Sequence, residues 1–170
     1  MESTNGPAPA SLLEGRFDGP AAFAELIRQA LAQAARAGWR ELTISDASFS
    51  DWPLGERAVI ESLNAWARPG RSLTMLAKNY DAVVRKHPRF VTWRITWSHL
   101  VECRASARAD VLEIPSMLLG TDWVLNRLDP VRSVGVASSE PERTVSAAEV
   151  LREWLERKSS PAFASSTLGL

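Results

Sequence analysis

A run of charged and polar side chains between Lys78 and Arg89 contains the residue types best able to bind an anion. Guanidinium and ammonium groups bind phosphate and carboxylate oxygens. The run follows the apolar segment Ser72–Ala77, which predicts a strand, so it would lie near the carboxyl edge of a sheet, where α/β proteins bind ligands. The alternative is a solvated helix face. The predicted anion-binding residues are Lys78, Asn79, Asp81, Arg85, His87 and Arg89.

Two carboxylates, Asp46 and Asp51, flank the loop after a second predicted strand, Glu41–Ser45. Paired carboxylates at the edge of a sheet could carry out general acid–base chemistry. In the alternative, Asp46 makes a turn and Asp51 caps the following helix, which are ordinary structural roles for aspartate. The sequence leaves both roles open.

Several classes of catalytic site are missing from the sequence. It has no Gly-x-Ser-x-Gly nucleophile elbow, no Gly-x-x-x-x-Gly-Lys phosphate loop and no Gly-x-Gly-x-x-Gly turn. One cysteine and two histidines exclude an intrachain disulfide framework and a cysteine-built zinc site. Cys103 stands in an apparent strand, which favours a buried structural thiol. We therefore predict no catalytic residue, no cofactor and no metal.

Charge and composition limit the class of protein. Twenty Lys and Arg residues balance twenty Asp and Glu residues, so the formal net charge is zero, which argues against strong nucleic-acid binding. No apolar run approaches the roughly 20 residues that span a bilayer, and no signal peptide is visible, which predicts a cytoplasmic protein without membrane contact. The small, polar and proline-bearing residues 1–11 predict a disordered leader before a single α/β domain over residues 12–170.

Hydrophobic periodicity predicts four helical stretches. The clearest runs from Pro20 to Ala37, because its apolar residues recur at three-and-four spacing and Gly38 supplies a stop. The next two cover about 54–67 and 81–97; Pro88 interrupts the latter, and the sequence does not decide between one kinked helix and two. A Ser-x-x-Glu capping box at 146–149 is expected to start the last helix.

Alternating and β-branched apolar runs predict the strands. A helix lies between the first two, which favours parallel pairing through a right-handed crossover. The second half of the chain has short extended segments with little helix between them, which favours antiparallel neighbours. The predicted strands are 41–45, 72–77, 101–105, 111–114, 122–127 and 133–137, with a short edge strand near Phe17.

Seven tryptophans are many for a chain of 170 residues. Burial in the core is the ordinary role of such large apolar rings. Trp93 and Trp97 stand four residues apart and would share a helix face, so this pair is also the candidate for an interface with a partner.

The predicted order of elements resembles one half of the phospholipase D-like fold. Three short segments are also similar to segments of uncharacterised bacterial phospholipase D-like domains. The resemblance implies an α/β three-layer sandwich with a mixed central sheet. The segments are Lys86-His87-Pro88-Arg89-Phe90, Asp129-Pro130 and Ser159-Ser160-Pro161.

The same resemblance implies what the chain lacks. Active members of that superfamily use a His-x-Lys motif with a downstream Asp, and the histidine attacks phosphorus. Neither His87 nor His99 has a lysine two residues later, so the resemblance implies an inactive copy. Active enzymes pair two halves about a two-fold axis, so a single half implies a homodimer.

Together these observations predict a non-catalytic phospholipase D-like domain that binds an anionic ligand or a protein partner. The predicted partners are a second copy of the chain, another protein or a small anion, without a membrane and without strong nucleic-acid binding. Two alternatives stay open. One is a divergent phosphoester hydrolase with its site at the carboxyl edge of the sheet, and the other is a purely structural interaction module.

Overall fold

Helices cover both faces of one mixed sheet, which makes the fold an α/β three-layer sandwich. The structure is a computed structural model, and it describes residues 11–164. The predicted disordered leader, residues 1–11, therefore lies outside the described residues except for its last position. The predicted sandwich with a mixed central sheet is confirmed.

Eight strands lie within the described residues and form a single sheet in the order β1-β7-β6-β5-β2-β3-β4-β8. Strands β2, β3 and β4 run parallel to one another, and the other pairings are antiparallel. The strands are β1 (Gly15–Asp18), β2 (Glu41–Ser45), β3 (Ser72–Ala77), β4 (Val101–Ala105), β5 (Met117–Leu119), β6 (Val124–Asp129), β7 (Val134–Ser138) and β8 (Ser160–Pro161).

Five helices within residues 11–164 make the outer layers. The first four share the large core with one face of the sheet, and the fifth packs on the opposite face through Ala147, Leu151 and Trp154. None of the five is long and apolar enough to cross a bilayer. The helices are α1 (Pro20–Ala37), α2 (Arg57–Trp66), α3 (Asp81–Lys86), α4 (Pro88–Thr96) and α5 (Pro141–Arg157).

Helix α1 follows its sequence signals closely. It begins with Pro20 at the first helical position, where the missing amide donor costs nothing. It ends at Gly38, which adopts the left-handed conformation at φ 67° and returns its amide to Ala34 O. The predicted apolar stripe faces the core, and its members are Phe23, Leu26, Ile27, Ala30, Leu31 and Ala34.

The predicted crossover places the carboxyl ends of the first two central strands side by side. β2 and β3 pair in parallel through α2, as expected. β4 departs from the expected antiparallel pairing, because α3 and α4 form a second crossover and bring β4 parallel to β3. Proline at position 88 divides the predicted stretch 81–97 into two helices, and His87 between them has φ −125° and ψ 57°, outside the helical region.

Two local predictions in the second half are wrong. Residues 111–114 form turns instead of a strand, with Val111 and Leu112 exposed, and the strand comes later, at β5. Helix α5 begins at Pro141, five residues before the predicted capping box, because a proline at the first helical position already starts it. The buried residues of α5 are Ala147, Leu151 and Trp154, whereas Val150 is 41% exposed.

Candidate functional site

The structure does not gather the predicted anion-binding residues around one point. Lys78, at the end of β3, turns toward the loop after β4, and its ammonium donates to the carbonyl oxygens of Ala107 at 3.1 Å and Ala109 at 2.5 Å. Asn79 accepts the amide of Asp81 at 3.2 Å, which makes the turn into α3. The side chains of Lys78 and Asn79 therefore bind backbone groups, and Asp81 lies in the first turn of α3.

His87 is a buried structural residue. It is 6% exposed, and its Nε2 lies 2.8 Å from the carbonyl oxygen of Phe49. Its backbone and ring also stand close to Gly55, where an added Cβ would meet them at 3.1–3.2 Å. The prediction that His87 binds an anion is wrong, because the ring faces the β2–α2 loop instead of solvent.

Three cations around the break between α3 and α4 do stay on the surface. Arg85, Lys86 and Arg89, here called the basic face, are exposed. Lys86 donates to Ser50 Oγ at 2.6 Å, and Arg89 donates to the carbonyl oxygen of Gly55 at 3.1 Å. Both therefore extend along the β2–α2 loop. Asp81, in the first turn of α3, is the one carboxylate of the segment 78–101, where five Lys and Arg residues stand, so cations are in excess.

A groove of about 350 Å³ adjoins the basic face between α2 and α4. Arg89, Thr92 and Thr96 of α4 line one side, at helical spacing, and Asn64 of α2 lines the other. Ile60 and Trp93 complete the lining, so the groove has one cation and three neutral hydrogen-bonding side chains beside two apolar ones.

The tryptophans are mostly core residues, as predicted. Trp93 is 4% exposed and lies against Phe90 with 5.7 Å between the ring centroids, and Trp97 is half-buried. Trp93 and Trp97 were candidates for an interface if both were exposed, and the structure does not meet that condition because Trp93 is buried in the core.

A buried ion network stands at the carboxyl end of β2. The side chain of Arg127, which lies on β6, is 2% exposed, and it donates to Asp46 at 2.8 Å and to Asp51 at 2.6 Å. It also donates to Ser116 Oγ at 3.0 Å and to Ser133 Oγ at 3.3 Å. The two carboxylates thus share one cation.

Opposing effects act on the pKa of Arg127. Burial works to lower it, but the hydrogen bond with Asp51 and the charges of Asp46 and Asp51 outweigh burial and raise the pKa. The guanidinium carbon also lies 4.0 Å from the centroid of the Phe23 ring. Because its donors are occupied, this network acts as a clamp between the β2–α2 loop and β6.

The network settles the two roles considered for the carboxylates. Asp46 makes a turn, since its Oδ2 accepts the amides of Ser48 and Phe49, and this structural interpretation is confirmed. Asp51 does not cap α2, whose N-cap is Glu56. Sequence reasoning missed Arg127, although it stands two residues after Leu125 in the predicted strand 122–127, where the alternation of a strand puts it on the same face as that leucine.

The comparison with solved structures gives a neighbour for this fold. The chain is similar to TrmBL2, an archaeal chromatin protein whose structure is described as showing a novel mode of DNA binding. The TM-score is 0.63 at 14% sequence identity, over 94% of this chain and 56% of that one, so the chain spans about half the length of its neighbour. No family model matches the chain, and no curated protein matches it.

The similarity to this neighbour contradicts two predictions from the sequence. One is the function as an anion-binding or protein-binding domain, and the other is the exclusion of strong nucleic-acid binding. The finding that overturns both is that the neighbour sharing this fold over nearly the whole chain is a DNA-binding chromatin protein. The predicted homodimer stays a prediction.

Proposed function

We propose that this chain is a DNA-associated domain that contacts the sugar–phosphate backbone through the basic face. The observation that carries the proposal is the fold shared with a DNA-binding chromatin protein over 94% of the chain. At 14% identity this similarity concerns the fold, so the contact residues are argued from this chain alone.

The charge on the basic face is available to a polyanion. Arg85, Lys86 and Arg89 form no ion pair with any carboxylate among residues 11–164. On α5, by contrast, Arg143 pairs with Glu140 and Arg157 pairs with Glu153. A zero net charge therefore coexists with a local excess of cations, and phosphate groups respond to the local excess because screening is strong beyond about 10 Å.

The groove beside the basic face has the chemistry of a backbone contact. Protein contacts to DNA phosphates come from Arg, Lys, Thr and Asn side chains, which position the protein without reading sequence. Arg89, Thr92 and Asn64 supply these types next to one another. We therefore expect weak binding with little sequence preference.

The test compares two variants that each remove three charges from the full chain. Arg85→Ala/Lys86→Ala/Arg89→Ala removes the basic face, and Arg143→Ala/Arg152→Ala/Arg157→Ala removes the same number of exposed cations from α5. Fluorescence anisotropy with a labelled mixed-sequence duplex measures Kd at low salt. We expect the first variant to weaken binding about 10-fold or more and the second to change Kd less than about twofold, because lost phosphate contacts dominate affinity.

Equal effects of the two variants would show that binding depends on net charge and not on this surface. Wild-type protein that leaves the anisotropy unchanged at low salt would contradict the proposal itself. Circular dichroism of each variant checks that the fold is retained.

Two further predictions from the sequence remain proposals beside this one. The relation to phospholipase D-like domains is supported by the three short segments and by the three-layer sandwich, although that architecture is not specific to the family. The cytoplasmic location is compatible with contact to DNA in a cell without a nucleus.

A further inference from the structure

The segment Lys158–Phe163, here called the strap, crosses β4 beside the buried thiol of Cys103. Its middle residues pair with β4 as β8. The amide of Ala162 donates to the carbonyl oxygen of Cys103 at 3.0 Å. Arg104 donates to the hydroxyl of Ser159 at 2.8 Å and to its carbonyl oxygen at 2.9 Å. The strap is thus a short edge segment held by few hydrogen bonds.

Phe163 closes the strap over a buried arginine. Its ring centroid lies 4.1 Å from the guanidinium carbon of Arg94 and 4.8 Å from the ring centroid of Tyr80. The backbone of Phe163 has φ 50°, in the left-handed region that an aromatic residue rarely adopts. Such strain persists only where packing holds it, so the ring contacts keep the strap closed.

Arg94 is a buried cation that no carboxylate among residues 11–164 pairs with. It is 4% exposed, and its Nε donates to Cys103 Sγ at 3.1 Å. Its Nη1 is buried and has no hydrogen-bond partner among residues 11–164. Buried charges are normally paired. The nearest group able to become negative opposite Arg94 is the thiol of Cys103.

Opening of the strap would change the pKa of the Cys103 thiol. Burial raises the pKa of Cys103, while the charge and the hydrogen bond of Arg94 lower it. Tyr80 and Glu102 are the other titratable groups that act on the thiol, and strap residues 159–163 carry no charge. Opening the strap removes burial and leaves Arg94 in place, so the thiol becomes more acidic as it becomes accessible.

We propose that Cys103 is a modification site for small disulfides and that the strap controls access to it. In the open state the thiol loses its proton to solvent, and the thiolate sulfur attacks one sulfur of the disulfide. A new S–S bond forms on Cys103, the S–S bond of the reagent breaks, and its second half leaves as a thiolate. Arg94 stabilises the attacking thiolate. In the closed state Cys103 is only 5% exposed, and the Phe163 ring covers Arg94, whose Nε contacts the sulfur.

The test uses the full chain, in which Cys103 is the one cysteine, so the coloured thiolate released from dithiobis(nitrobenzoate) reports this residue alone. We expect Phe163→Ala to raise the reaction rate about 10-fold or more at neutral pH. The double variant Phe163→Ala/Arg94→Met should react more slowly than Phe163→Ala alone, because the thiolate fraction falls when Arg94 is removed. The matched control is Val131→Ala, which shortens an apolar side chain that is 84% exposed at another site and should leave the rate unchanged.

Global unfolding would also expose the thiol, so each rate is measured over a range of low urea concentrations beside an unfolding curve. Local opening predicts a rate almost independent of urea, since little surface is exposed. A second strap variant, Arg104→Gln, loses its hydrogen bonds to Ser159 and should also accelerate the reaction. The proposal is overturned if the rate follows the globally unfolded fraction, or if wild type and both strap variants react equally fast.

Discussion

At the scale of single residues, the carboxyl end of β2 depends on Arg127. We expect Arg127→Met to lower the free energy of unfolding by about 3–5 kcal/mol, because it leaves the carboxylate of Asp46 buried without a counter-charge. The side chain of Asp46 is 7% exposed, so water cannot replace the lost cation. Urea denaturation followed by circular dichroism measures the change.

The control for this variant is an exposed ion pair. Arg16 and Asp18 lie 3.8 Å apart with side chains that are 72% and 70% exposed, so Arg16→Met should cost less than about 1 kcal/mol. Adding Asp46→Asn to Arg127→Met should restore part of the lost stability, because the buried charge disappears. A cost for Arg127→Met as small as that for Arg16→Met would contradict the clamp.

Residue roles could be predicted where the cause is local. The turn at Asp46 depends on amides two and three residues away, and burial of Cys103 follows from its place in a strand. The clamp could not be predicted, because Arg127 and Asp46 are 81 positions apart and only the pairing of β5 with β2 and β6 brings them together. The burial of His87 could not be predicted for the same reason, since its partner Phe49 lies in another loop.

At the scale of elements, the end of α1 sets where β2 begins. Gly38 has φ 67°, so we expect Gly38→Ala to cost about 1 kcal/mol of stability, since a Cβ is strained in the left-handed region. Gly38→Asn should cost less, because asparagine tolerates this conformation. Urea midpoints of the two variants measure the difference, and equal costs would show that contact with Arg71, 3.2 Å from an added Cβ, dominates instead.

Elements with their own start and stop signals could be predicted from the sequence. In helix α1 and strands β2 and β3 the apolar periodicity and the residues that start and stop an element predict the same structure, and these elements form as expected. Residues 111–114 are apolar enough for a strand, yet Ile114 is buried against Trp154 and Leu76 while the three residues before it are exposed. Packing against α5 determines the conformation of this segment, and no local sequence pattern predicts that packing.

At the scale of the whole molecule, net charge is a poor guide to nucleic-acid binding, because it sums over surfaces that act separately. Exposed pairs such as Arg143 with Glu140 cancel locally, while the cations of the basic face form no ion pair within residues 11–164. A phosphate backbone meets one surface at a time. The distribution of charge over the fold therefore carries the information that the total of zero conceals.

The number of phosphates that the basic face contacts can be measured from salt dependence. Three cations predict a slope of about −2.7 for log K against log salt, so affinity should fall about 40-fold between roughly 50 and 200 mM salt. The variant lacking Arg85, Lys86 and Arg89 should show a slope near zero, whereas the α5 variant should keep the wild-type slope. A wild-type slope steeper than about −5 would require contacts beyond these three residues. DNA would then also meet a second surface of the sandwich, and the basic face alone would not explain binding.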